Sequence, residues 1–169
     1  MRINKKLNLV IELSDISVHH ESISSDIFKQ NFLLIAKTHD AIYDEGISKS
    51  GSQVALYLLE SIAKDSGINP NPLLNELVRT TNVIINNGYA YQHLPLDEAV
   101  KDGHLSIDDR DLIVSSVVFF TLIVCIQRGK MIQSASLDAM NQIWQLQSTS
   151  LDCMELMKSL ETSKADGAF

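Results

Sequence analysis

Between Leu112 and Ile126 the chain carries its strongest apolar run, interrupted only by Ser115, Ser116 and Thr121. The run falls short of the ~20 apolar residues that cross a bilayer, so the rest of the chain has to cover it. Ser106 stands in front of it as a helix cap. Asp108, Asp109 and Asp111 crowd the first turn, where the helix dipole favours negative charge. The pattern predicts a helix from Ile107 to about Arg128, with Gly129 beyond. From Leu112 onward that helix is apolar nearly all round, which places it at the centre of a bundle. The expected fold is therefore mainly α, a helical bundle around a central buried helix at about 107–128.

The flanking segments supply the covering elements. Leu7, Leu9, Ile11 and Leu13 alternate with Asn8, Val10 and Glu12, and Ile16 and Val18 restart the alternation after Ser14 and Asp15. Period two on both sides of a tight turn predicts an N-terminal β-hairpin over about 7–20. A lone hairpin is marginal in water, so it must pack on the helices or pair through its edge with another copy.

Behind caps at Ser24 or Ser25, the residues Phe28, Phe32, Ile35, Ala36, His39, Ile42 and Tyr43 follow one helical face, ending at Gly46. Val54, Ala55, Leu58, Leu59 and Ile62 predict a second helix, stopped near Gly67. Leu74, Leu77, Val78, Thr81, Ile84 and Ile85 predict a third, begun at Pro72 and closed by Asn86-Asn87-Gly88. Gly88 to His93 reads as irregular, and Leu96 to Asp102 as a short helix ended by Gly103. Leu137, Met140, Trp144 and Gln147 recur at helical spacing, and Ser150 can cap a last segment from Leu151 to Leu160. The organisation expected is a helical domain with its hairpin over 1–148, then a short C-terminal helix and frayed tail over 149–169.

Charge and cysteine usage narrow the function classes. The net charge is −7, and the 14 Lys and Arg form no dense patch beyond Arg2, Lys5 and Lys6. Phosphate neutralisation needs a basic stripe, so no nucleic-acid partner is expected. Two cysteines, Cys125 and Cys153, make no disulfide framework and read as reduced thiols of a cytoplasmic protein. The basic start Met1–Lys6 leads only into Leu7–Leu13, broken by Asn8 and Glu12, so no secretory signal is expected, and with the Leu112–Ile126 run too short to span a bilayer no membrane partner is expected.

No residue pattern spells out chemistry. His19-His20-Glu21 is the most metal-like cluster, but neighbours on a strand point to opposite faces and cannot share an ion easily. His39-Asp40 resembles half of an acid–base pair, although His39 falls on the apolar side of its helix and Asp40 elsewhere. Asp108-Asp109-Arg110-Asp111 lacks the spacing and glycine of a calcium loop. Cys153 has no local base to lower its pKa, and no nucleophile elbow or phosphate-binding glycine loop occurs. The chain is expected to be no enzyme, with no cofactor, no metal site and no catalytic residue.

Methionine use points elsewhere. Met131, Met140, Met154 and Met157 are four of the five methionines, all in the last forty residues. Thioether side chains adapt to changing partners. The expected partner-binding residues are Met140, Trp144, Leu151, Met154, Met157 and Leu160. The expected self-association residues are Leu7, Leu9, Ile11 and Leu13 on the hairpin.

Several stretches resemble the tail assembly chaperones of long, non-contractile tailed bacteriophages and related prophages. They are Lys6-Leu7-Asn8-Leu9-Val10-Ile11, the piece from Ile16 to Ser24, and Phe28 to Phe32. Gly88-Tyr89 with Leu94-Pro95-Leu96-Asp97-Glu98-Ala99, and the helix from Leu105-Ser106-Ile107-Asp108 to Phe119-Phe120-Thr121, follow. Thr149-Ser150-Leu151-Asp152 and Ser159-Leu160 resemble the family's variable end. The resemblance implies a non-enzymatic, self-associating helical protein of the host cell cytoplasm. It would bind the tape measure protein and keep it soluble while tail tube subunits assemble, with the tail tube protein as a further contact. Another tail structural or completion protein, a small helical enzyme with a dispersed site, and a helical adaptor are the competing readings.

Overall fold

The computed structural model describes residues 7–44, 50–126, 142 and 146–166. Strands β1 (Asn8–Leu13) and β2 (Ile16–His20) pair antiparallel across Ser14 and Asp15, as the alternation predicts. Helix α1 (Ser25–Gln30) starts where Ser24 Oγ accepts the Ile27 N–H at 3.3 Å. Helices α2 (Phe32–Asp44), α3 (Gly51–Ser66) and α4 (Asn71–Arg79) follow. Then come β3 (Thr81–Asn86), β4 (Tyr91–Pro95), helix α5 (Leu96–Lys101) and helix α6 (Ile107–Ile126). Strand β5 (Gln147–Thr149) and helix α7 (Cys153–Asp166) complete the described chain.

The expectation of a helical bundle with no more than an N-terminal hairpin is wrong. The described residues hold seven helices and a five-stranded antiparallel sheet in the order β4-β3-β2-β1-β5. The third helix expected from Leu74 to Ile85 ends at Arg79, and Thr81, Ile84 and Ile85 belong to β3. Thr80, Thr81, Val83, Ile84 and Ile85 are β-branched, a composition that suits a pleated, packed surface. Thr80 closes α4 by donating its hydroxyl to Glu76 O at 2.9 Å. The segment read as irregular contains β4, which returns on β3 with Val83 opposite Leu94 and Asn86 opposite Tyr91. Asn87 Oδ1 accepts the N–H groups of Tyr89 and Ala90 and closes that hairpin.

The central helix begins at Ile107 as the sequence predicts, and its expected end at about Arg128 lies outside the described residues. Ser106 Oγ accepts the Asp109 N–H at 3.0 Å, and Asp109 Oδ2 accepts from Ser106 in return, a reciprocal cap. From Ile113 to Ile123 every side chain except the half-buried Ser116 is buried. Its buried polar members are hydrogen-bonded. Thr121 donates to Val117 O at 2.8 Å, and Ser115 Oγ accepts the Leu56 N–H of α3 at 3.2 Å. Leu9, Ile11, Val18, Val83 and Ile85 line the sheet face that shares a core with α6, α3, α2, α4 and α5. The helix expected at Leu137 to Trp144 lies outside the described residues, and Gln147, assigned to it, begins β5.

Helix α3 meets α6 through small residues. Gly51, Ser52, Ala55 and Ala63 are buried together with Leu59. A Cβ added at Gly51 would sit 2.3 Å from Phe119 Cε2. Gly51→Ala is expected to lower stability by about 1–3 kcal/mol through overpacking, although alanine is the better helix former. Urea unfolding checks this, and a variant as stable as the parent would contradict the close approach.

Candidate functional site

The sheet is covered on both sides, and its two faces differ in chemistry. Register places Leu9, Ile11, Val18, His20, Thr81, Val83 and Ile85 on the α6 face. Asn8, Val10, Glu12, Ser17, His19, Asn82 and Ile84 lie on the other. His19 and His20 therefore point to opposite faces, and the sequence cluster with Glu21 does not converge. Among the described residues, no three His, Cys, Asp or Glu side chains are grouped to hold a metal ion.

His20 is fully buried, its ring edge-on to Phe120 at 6.2 Å. The Thr81 hydroxyl donates to Leu77 O at 2.7 Å, so His20 Nδ1 donates to Thr81 Oγ1 at 3.0 Å. That tautomer leaves the lone pair of Nε2 without a hydrogen bond. Burial first, and the neighbouring His19 second, lower its pKa to about 3.

His19 Nε2 donates to Leu151 O at 2.9 Å, and Asn8 Nδ2 donates to the same carbonyl at 3.0 Å. Both lone pairs of one backbone oxygen are thereby used. The pair of bonds pins the turn between β5 and α7 to the sheet, while β5 pairs with β1 from Asn8 to Val10. Asp152 caps α7, accepting the Glu155 N–H at 2.8 Å while Glu155 Oε2 accepts the Asp152 N–H at 3.0 Å.

Helix α7 then packs Cys153 and Met157 on Ile84, flanked by the half-buried Leu156, Leu160 and Tyr91. Lys164 Nζ lies 5.0 Å over the Tyr91 ring. Burial, then the carboxylates of Asp152 and Glu21, push the Cys153 thiol up to about 11. A neutral buried thiol is a packing group and a poor nucleophile.

The residues singled out for partner binding are thus divided. Met157 is buried against the sheet, Leu151 and Leu160 are half-buried, and Met154 is 51% exposed. Met140 and Trp144 lie outside the described residues. Of the residues singled out for self-association, Leu9 and Ile11 are in the core, with Leu7 and Leu13 half-buried against it. Their strand is an inner one over Asn8–Val10, since β5 pairs along it; β4 and β5 are the outer strands.

The face predicted from Phe28, Phe32, Ile35, Ala36, His39, Ile42 and Tyr43 divides in the fold. Ile35 and Ile42 are buried, together with Leu34 and Thr38, and Phe28 packs half-buried against the core, whereas Phe32 and Tyr43 lie outside. Asn31 separates α1 from α2. Phe32 is 53% and Tyr43 46% exposed, three helical turns apart on one side of α2. Phe28 stacks edge-on to Phe32 at 5.7 Å, and His39 lies 4.7 Å from the Tyr43 ring. Leu33 is exposed beside the row, and Tyr57 is exposed on the adjoining α3. The signal for the true core side is Leu34, which with Ile35, Thr38 and Ile42 turns the buried stripe away from Phe32 and Tyr43.

Between the β1–β2 turn and the end of α7 lies an open hollow of about 280 Å³, lined by Glu12, Asp15, Ser17, Asn86, Tyr91 and Lys164 among others. No helix among the described residues is long and apolar enough to cross a membrane.

Two measurements check these environments. His20 holds its proton less tightly in the fold than the ordinary value of 6.5 in the unfolded chain. As pH falls below 6.5 the unfolded chain gains the proton, and stability drops by up to about 1.4 kcal/mol per pH unit until about 3. His20→Phe leaves the Thr81 hydroxyl still bonded to Leu77 O. Its urea-unfolding free energy is therefore expected to fall less steeply between pH 6 and pH 4 than that of the parent, and parallel curves would contradict the burial argument. Cys153, its pKa raised from 9.0 to about 11, should alkylate about a hundred-fold more slowly at pH 8 in the folded than in the unfolded chain. Peptide mapping follows that site, and equal rates would contradict it.

Compared with known proteins, the chain matches no protein-family model, no curated protein and no solved structure.

Proposed function

We propose that the chain is a non-enzymatic phage tail assembly chaperone that binds the tape measure protein and keeps it soluble while the tail tube forms. The observation that carries this reading is the pair of exposed aromatics on one side of α2, Phe32 and Tyr43, with the half-buried Phe28 and His39 rings against them. An apolar row on the outside of a folded chain suits docking against another polypeptide's apolar helix face. Leu33, next to Phe32, is exposed as well, as is Tyr57 on α3. The net charge of −7 suits a protein that must keep a greasy partner in solution. The sequence resemblance supplies the identity of the partner, and the tail tube protein is a further contact in the same assembly. Self-association, which the resemblance also implies, belongs to the same proposal.

Co-expression with a tape measure protein tests the reading. The parent chain is expected to hold that protein in the soluble fraction and to co-purify with it. Phe32→Ser with Tyr43→Ser should reduce the recovered complex by at least about ten-fold, since exposed aromatic anchors carry much of the energy of such contacts. Circular dichroism establishes that the variant remains folded. A folded double variant that binds as well as the parent removes the aromatic row from the account. A parent chain that neither binds nor solubilises the tape measure protein removes the chaperone reading itself.

A further inference from the structure

The far side of the sheet carries a helix-binding surface that is filled by the chain's own C-terminus. Three observations define it. First, Ile84, Cys153 and Met157 form a hydrophobic cluster separate from the core around α6. Second, α7 has its own reciprocal cap at Asp152 and Glu155, which uses no group of the sheet. Third, its attachment runs through a three-residue ladder to β1 and two side-chain hydrogen bonds to a single carbonyl, Leu151 O.

The residues α7 offers to the sheet follow one helical stripe. Cys153, Leu156, Met157 and Leu160 stand at i, i+3, i+4 and i+7, and Lys164 at i+11 lies over Tyr91. The sheet answers with Ile84 and Tyr91 as an apolar seat, and with Asn8 and His19 as donors at the entry. The seat therefore reads a particular helix: small, then bulky apolar residues, then a cation over an aromatic ring.

We infer that this seat accepts the same helix from a second copy of the chain, so that copies link by exchanging β5 and α7. The occupant is fixed by complementarity already on display: each copy carries a segment 147–166 that fits the seat of any other. Release of α7 removes no member of the core around α6, because the two clusters share no residue; Leu146, just before β5, belongs to that core and marks where the exchanged segment begins. Small independent clusters are the parts of a fold that open locally.

A labelled synthetic peptide of residues 147–166, added to the full chain, tests the exchange by fluorescence anisotropy. Saturable binding is expected. Leu160→Asp in the full chain weakens the resident helix and should tighten peptide binding by at least about ten-fold, because a larger fraction of seats stands open. The peptide carrying Leu160→Asp should lose binding by a similar factor. No binding to either chain, or binding indifferent to Leu160 in the peptide, would overturn the inference. Hydrogen exchange on the unaltered chain gives a second reading that does not depend on the variant's folding. Amides of α7 are expected to exchange at least about a hundred-fold faster than the slowest amides of the molecule. Exchange of α7 only through global unfolding would overturn the inference equally. The exchange deepens the self-association counted in the proposed function, and since neither experiment contains a tape measure protein, its failure is distinguishable from a failure of the chaperone reading.

Discussion

The fold depends on covering α6. From Ile113 to Ile123 almost every position on this helix is buried, so it cannot rest against one neighbour alone. Helix α3 covers it through Gly51, Ser52 and Ala55, whose small side chains bring the backbones together and let Phe119 fill the space over Gly51. The sheet covers another side, with His20 edge-on to Phe120. Helices α2, α4 and α5 add the remaining apolar contacts. A chain with one such helix needs a second layer broad enough to close it off, and an antiparallel sheet with one dry face provides that.

The sheet in turn depends on buried polar groups being satisfied in pairs. His20, Thr81 and Leu77 O form a chain of hydrogen bonds within the core layer. Asn8, His19 and Leu151 O form another on the opposite face. Each histidine spends its one N–H on an oxygen, leaving an acceptor and not a donor unpaired in the interior. Loss of an acceptor bond at one imidazole nitrogen is a smaller demand than burying a charge, which is why burial holds His20 neutral across the ordinary pH range. These two networks tie the N-terminal hairpin to β3 on one side and to the C-terminal segment on the other.

What the sequence reveals and hides follows from periodicity. Helices α3, α5 and α6 and the β1–β2 hairpin are legible because one structure alone explains their spacing. Strand β3 is hidden because Leu74, Leu77, Val78, Thr81, Ile84 and Ile85 continue a helical rhythm across the real boundary at Thr80. Covered on both faces, the strand buries Val83, Ile84 and Ile85 in succession and shows no alternation. Its β-branched composition and the Asn86-Asn87-Gly88 turn carry the signal that rhythm obscures. Strand β5 is hidden for the opposite reason: Gln147, Ser148 and Thr149 are polar and short, held by pairing with β1. The face of α2 is legible in part: Ile35 and Ile42 take the core side as their spacing implies, but Phe32 and Tyr43 at the same spacing stay outside because Leu34 and Thr38 turn the buried stripe away from them. The opposed directions of His19 and His20, by contrast, follow from the strand alone and hold in the register.

A protein built this way has a dry centre, a greasy row left outside on α2, and a C-terminal helix seated on a cluster of its own. The row and the seat of the C-terminal helix are the surfaces on which the proposed contacts rest. The most direct test of the architecture beneath them is native-state hydrogen exchange across the chain. The account predicts that the slowest amides lie together in α6 between Ile113 and Ile123 and in the paired strands β2 and β3, all opening in one global event with the same denaturant dependence. An α6 that exchanges earlier than the sheet, by a local opening of its own, would contradict the claim that everything else is folded around it.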